Sequence, residues 1–135
     1  MIEWRIHLAS PPERVYSFLA SEPGRERFWA ESAPERDGII EFTFPNGLRW
    51  HGRILAAEPP HRFAVRYFGD TDVVFTLDDD GRGGCDLRLH DTADDADTSA
   101  GWVSVLLALK AAVDFDVDLR NHDADRTWSE GYVDN

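Results

Sequence analysis

Cysteine, methionine and lysine are almost missing from this 135-residue chain, which has one of each. The single cysteine, Cys85, excludes an intramolecular disulfide and with it the small stapled scaffolds that depend on one. Lys110 is the only lysine among 14 basic side chains, against 26 acidic ones, and the formal charge is −12. A balance this acidic argues against phosphate backbones and anionic membrane surfaces, which would repel it, so no nucleic acid is expected as a partner. No apolar run near Met1 resembles a signal peptide or a membrane span. The sequence therefore predicts a cytoplasmic protein without membrane insertion.

Several chemical signatures are missing too. The five histidines, at 7, 51, 61, 90 and 122, make no HExxH or other metal spacing, so no metal is expected. Ser104 lacks the flanking glycines of a nucleophile elbow. Gly81-Arg82-Gly83-Gly84 follows Asp78-Asp79-Asp80, and a link between two strands is a hairpin turn, whereas a phosphate cradle opens a helix. Nothing near Cys85 would lower its pKa, which favours a small buried thiol over a nucleophile. No cofactor is called for.

What the chain does have is rings: 8 Phe, 5 Trp and 3 Tyr, enough for an aromatic core or an aromatic-lined cavity. They fall into a regular pattern. Ile2, Trp4, Ile6 and Leu8 alternate with Glu3, Arg5 and His7, the period of a half-buried strand. Ser10 stands before Pro11-Pro12, which predicts an N-cap and a short helix to about Ala20 with Val15, Phe18 and Leu19 as its apolar stripe. Pro23-Gly24 punctuates the chain before a second short helix carrying Phe28 and Trp29. From Gly38 the period is two, giving strands at 38–44, 48–57, 62–69, 72–78 and 84–92. Their short links, such as Pro45-Asn46-Gly47 and Glu58-Pro59-Pro60, make consecutive strands antiparallel. Asp91 to Asp97 reads as a solvated loop. Thr98 or Ser99 then caps a long helix to about Arg120, with Trp102, Leu106, Leu109 and Val113 at three- and four-residue spacing.

Strand, two short helices, antiparallel meander and long C-terminal helix together resemble the START/Bet v 1-like (SRPBCC) superfamily, and within it the bacterial Hsp 90 ATPase activator homologues and polyketide cyclase-like proteins. The residues that carry this resemblance are Ser10-Pro11-Pro12-Glu13-Arg14-Val15-Tyr16, Phe28-Trp29, Glu58-Pro59-Pro60-His61-Arg62, and Trp102 through Leu109-Lys110. The resemblance implies a single α+β domain over 1–135 with the helix-grip fold: a curved antiparallel sheet of about six strands around the C-terminal helix. It also implies a cavity between sheet and helix for a lipid, polyketide or other apolar compound. Fold alone does not fix the activity. The segment 121–135 departs from the shorter family pattern and is expected to pack on the domain or on a partner.

Alternation points Ile40, Phe42, Phe44, Trp50, Val65, Tyr67, Phe75, Leu77, Leu87 and Leu89 inward. The candidate ligand-binding residues are Phe28, Trp29, Phe42, Phe44, Trp50, Tyr67, Phe75 and Leu87, facing Trp102, Leu106, Leu109 and Val113. The same residues would serve a filled core. Without an evident acid, base and nucleophile set, binding of a small apolar molecule without turnover is the first expectation. A cyclase or hydrolase using Tyr67 and Glu41 is the second, and a chaperone cofactor acting through the acidic surface is the third. Asp114, Asp116 and Asp118 oppose the helix dipole and call for compensation, expected from Arg120 and Arg126 as the tail folds back to bury Trp128 or Tyr132. A homodimer contact through the tail is the competing expectation.

Overall fold

The computed structural model describes residues 1–135. Strand β1 (Ile2–Leu8) leads through helix α1 (Pro12–Ala20) and the single turn α2 (Glu22–Arg25) into strands β2 (Glu35–Arg36), β3 (Ile39–Thr43), β4 (Arg49–Glu58), β5 (Arg62–Tyr67), β6 (Thr71–Asp79) and β7 (Cys85–Asp91). Helix α3 (Ala96–Phe115) follows, and a short 3₁₀ turn (Trp128–Glu130) lies in the tail. The strands form one antiparallel sheet of seven in the order β1-β7-β6-β5-β4-β3-β2. The expected six become seven because Glu35–Arg36 adds a two-residue edge, too short for its period to be read.

The sheet curves around α3, and the core fills the space between them. Along β7 the residues Cys85, Leu87, Leu89 and Asp91 are buried while Asp86 and Arg88 face outward. On β1 the alternation is realised at Ile2 and Leu8, but Trp4 is 40% exposed. Its indole reaches over to donate to the Ser99 carbonyl at 3.2 Å, which satisfies the polar edge while the ring lies against solvent.

Three boundaries differ from expectation, each for a local reason. Helix α1 starts at Pro12 with Pro11 as its cap residue, and Ser10 instead donates its hydroxyl to Asp114 at 2.8 Å. Helix α2 ends at Arg25, so Phe28 and Trp29 sit in the turn after it. Its Gly24 is dictated by packing, since a Cβ there would stand 2.4 Å from the Phe18 Cα. Helix α3 begins earlier and ends earlier than the pattern suggested. Asp95 caps it, accepting from the Thr98 amide at 2.9 Å, and Asp116 stops it in the left-handed conformation at φ 57, a region aspartate enters more readily than most residues.

By length and composition α3 could cross a membrane, but here Trp102, Val105, Leu106, Leu109 and Val113 are buried against the sheet. Its C-terminal end is tied to β1 by Asp114, whose carboxylate accepts from the amides of Ala9 at 2.9 Å and Ser10 at 3.1 Å and from Lys110 at 3.2 Å. The expected compensation by Arg120 and Arg126 therefore holds only for Asp118, which pairs with Arg120 at 3.0 Å. Asp116 pairs with Arg27, and Arg126 with Asp123.

Candidate functional site

The interior between sheet and helix is filled with rings. Trp29 is at the centre, its ring 4.8 Å from Phe42, 5.5 Å from Phe75, 5.8 Å from Tyr67 and 6.0 Å from Trp102. Two hydrogen bonds fix this stack. The Trp29 indole donates to the Tyr67 hydroxyl at 3.1 Å, and the Trp102 indole donates to Asp91 at 2.8 Å. Burial of the Tyr67 phenol raises its pKa, so the group is a neutral hydroxyl near pH 7.

Open space lies beside this stack, at the end of the sheet where Tyr67 pairs with Thr71 and Val73 with Asp91. A cleft of about 590 Å³ opens there. Its floor is Tyr67 and Trp102. One wall is formed by the β3–β4 and β5–β6 turns with Phe44, Leu48 and Phe68, and the other by the first half of α3 from Asp97 to Val105. Trp128, Tyr132 and Val133 of the tail form the remaining side.

The twelve candidate residues divide into groups. Phe44, Tyr67 and Trp102 line the cleft. Phe28 and Trp29 border a second, smaller cavity of about 170 Å³ on the other side of Trp128. Trp50 is half-buried and packs on Phe68, with ring centroids 5.2 Å apart. Phe42, Phe75, Leu87, Leu106, Leu109 and Val113 are packed into the core cluster. Glu41, facing His51 across the β3–β4 ladder, is not among the residues around the cleft with Tyr67. Cys85 is fully buried, and burial together with nearby aspartates pushes its thiol up to about 11.

Asp91 is a cleft residue that sequence reasoning placed in a solvated loop. It is 0% exposed, and its two oxygens accept from the Trp102 indole and, at 2.9 Å, from the Ala93 amide. The signal was available: Cys85, Leu87, Leu89, Asp91 continues the period of two, and the charge obscured it.

The tail reaches the cleft along a specific route. Arg120 anchors it by donating to the carbonyls of Ala30 at 3.0 Å and Glu26 at 2.7 Å. His122 bridges Glu31 at 2.6 Å and Asp118 at 2.8 Å. Asn121 closes the loop, its amide donating to the Asp134 carbonyl at 2.7 Å. Thr127 and Glu130 cap each other reciprocally around the 3₁₀ turn, which presents Trp128 to the Gly101 side of α3.

This anchorage is pH-dependent. Burial works against the His122 cation, but hydrogen bonds to Asp118 and Glu31 outweigh both burial and the nearby Arg120, so its pKa is raised. Burial would likewise raise Asp118, but bonds from Arg120 and His122 prevail and draw it down to about 2. The His122 contribution is complete below its unfolded value of about 6.5 and is lost as pH rises through the higher folded value. The Asp118 contribution is complete above an unfolded value of about 3.9 and is lost as pH falls toward the folded one. The tail should be held most firmly between about pH 4 and 6.5, windows set by those reference values. Amide exchange over 121–135, corrected for its intrinsic rate, should accelerate above that range in the native protein and lose this limb in His122→Gln. A flat profile in the native chain would contradict the assignment.

No family model matches the chain, and no curated protein matches it. The fold does match solved structures. The Aha1 dimer from Colwellia psychrerythraea superposes with a TM-score of 0.73 at 23% identity, over 84% of this chain and 96% of that one. CalU16 from Micromonospora echinospora superposes with a TM-score of 0.67 at 26% identity, over 86% and 75%. DynU16, from the dynemicin biosynthetic locus, gives 0.75 at 18% identity over 87% of this chain and 48% of its own. These likenesses and the seven-stranded antiparallel sheet around α3 show an α+β fold shared with these structures.

Proposed function

We propose that the chain binds a small, largely apolar molecule in the cleft at the Tyr67–Trp102 end of the sheet, with the 128–133 segment closing over it. The observation that carries this is the cleft itself. Its volume of about 590 Å³ falls within the usual range of ligand sites, and its aromatic walls with a few polar groups have the usual composition. The interior stack around Trp29 provides a rigid floor, which keeps the entropy cost of binding low. Tyr67 offers a neutral hydroxyl already engaged by Trp29, a group suited to orienting a ligand and not to acting as a base. Solved structures such as CalU16 and DynU16 share this fold, and a binding role on it needs no further chemistry from this chain.

A second copy of the chain, as in the Aha1 dimer, would find exposed apolar contacts at Phe115, the last residue of α3, and at Val117 and Leu119 just after it.

The test is a plug. Gly101 faces the tail, where a Cβ would meet the Trp128 ring at 4.0 Å, and leucine is a better helix former than glycine. Gly101→Leu should therefore melt at or above the native temperature while weakening by more than about tenfold the binding of any aromatic compound found by thermal-shift screening, since one displaced aromatic contact of about 1.4 kcal/mol is tenfold. Unchanged affinity in this variant would place the ligand elsewhere.

A further inference from the structure

The residues around the cleft have a one-sided charge. None is lysine, arginine or histidine, two are aspartates, and six are aromatic. Asp91 is fully buried with both oxygens already accepting hydrogen bonds, so what it offers the cleft is negative potential and no free acceptor. Asp97, in the first turn of α3, is exposed at the rim. The positive pole of α3 also lies at this end, but Asp95 caps it and Asp97 adds a second carboxylate to its first turn, which offsets the pole before it reaches a ligand.

From this juxtaposition of aromatic rings and carboxylates we infer that the ligand is a monocation, an ammonium group on an apolar or aromatic body, and that the cleft discriminates against carboxylates. The inference rests on the binding role proposed above and specifies its ligand class. Trp102, Tyr67, Phe68 and Trp128 are among the rings that line the cleft, and aromatic rings attract an ammonium, tryptophan most strongly. Asp97 supplies the counter-charge at the mouth, where a polar head would sit while the body occupies the floor. A carboxylate in the same place would meet Asp97 and Asp91 with no basic side chain to neutralise it, and the chain's net charge of −12 adds long-range repulsion.

The experiment uses the full chain near pH 7 and three compounds with one body: 2-naphthylethylammonium, 2-naphthylethanol and 3-(2-naphthyl)propionate, titrated by calorimetry. The ammonium should bind about tenfold tighter than the alcohol, within the range of cation–π attraction to desolvated rings, and the propionate should bind more weakly than the alcohol. Raising salt from about 0.02 to about 0.5 M should narrow the ammonium preference without changing alcohol binding, because screening acts on the charge alone. Asp97→Asn should cut the ammonium-to-alcohol ratio by about threefold, the share expected of one exposed counter-charge. Propionate binding as tight as the ammonium would overturn the inference, as would an ammonium preference insensitive to both salt and Asp97→Asn; in either case the cleft remains a binding site. Failure of all three compounds to bind would overturn the binding role and the head-group preference together.

Discussion

Replacing Trp29 with alanine should destabilise the protein by about 3–5 kcal/mol, the range for emptying a buried aromatic site that cannot collapse. Trp29 is 3% exposed, comes from the turn after α2, and meets rings from β3, β5, β6 and α3, so no single element can move in to fill the void. The Tyr67 hydroxyl would also lose the Trp29 donor and be left buried without it, adding a desolvation penalty. Trp29→Phe should recover most of the packing but not that hydrogen bond, leaving a loss of about 1–2 kcal/mol. Chemical denaturation measures both. A Trp29→Ala loss under about 1 kcal/mol would mean that the stack is not the floor on which the cleft rests.

The second large effect concerns the tail. A chain ending at Arg120 keeps the Asp118–Arg120 pair and the Arg120 anchors to Ala30 and Glu26, but loses Trp128, Tyr132 and Val133 from the cleft. Ligand affinity should fall by about tenfold or more, as expected for removal of a tryptophan-centred contact. The melting temperature should fall by roughly 5 °C, because the buried part of Trp128 and the His122 bridge contribute about 1–2 kcal/mol to a domain of this size. Calorimetry with 2-naphthylethylammonium and a melting curve read the two effects separately. An affinity unchanged by truncation would remove the tail from the site, and an unchanged melting curve would remove it from the fold.

Most of the architecture was legible because strand and helix periods are properties of neighbouring residues. The meander from Gly38 to Asp91 could be read from alternation, and its hairpins from glycines such as Gly47 and Gly81, which take φ 84 and φ 77. The end of α3 was not, because Asp116-Val117-Asp118-Leu119 offers no glycine or proline and keeps an apolar–polar pattern compatible with helix. Asp114 is the instructive residue. It looked like a charge opposed to the helix dipole, but it is the receptor for the Ala9 and Ser10 amides, a contact between segments about a hundred residues apart that no local pattern carries.

The candidate site was legible in part for the same reason. Phe44, Tyr67 and Trp102 point inward by period and line the cleft, whereas Trp29 comes from a turn and fills the centre from a direction no strand periodicity reveals. The lining residues Trp128, Tyr132 and Val133 depend on where the tail crosses the domain, which Arg120 helps to set by reaching the Ala30 carbonyl.

On the binding role proposed above, ligand occupies the space between Tyr67, Trp102 and the tail. The most direct measurement is a titration of isotopically labelled full-length protein with 2-naphthylethylammonium, followed by ¹H–¹⁵N correlation spectra. The indole resonances of Trp102 and Trp128 and the amides of 98–105 and 128–133 should shift most, while the Asp79–Gly84 hairpin at the opposite end of the sheet stays still. Shifts centred on that hairpin or on the outer face of β4, with Trp102 and Trp128 unmoved, would contradict it.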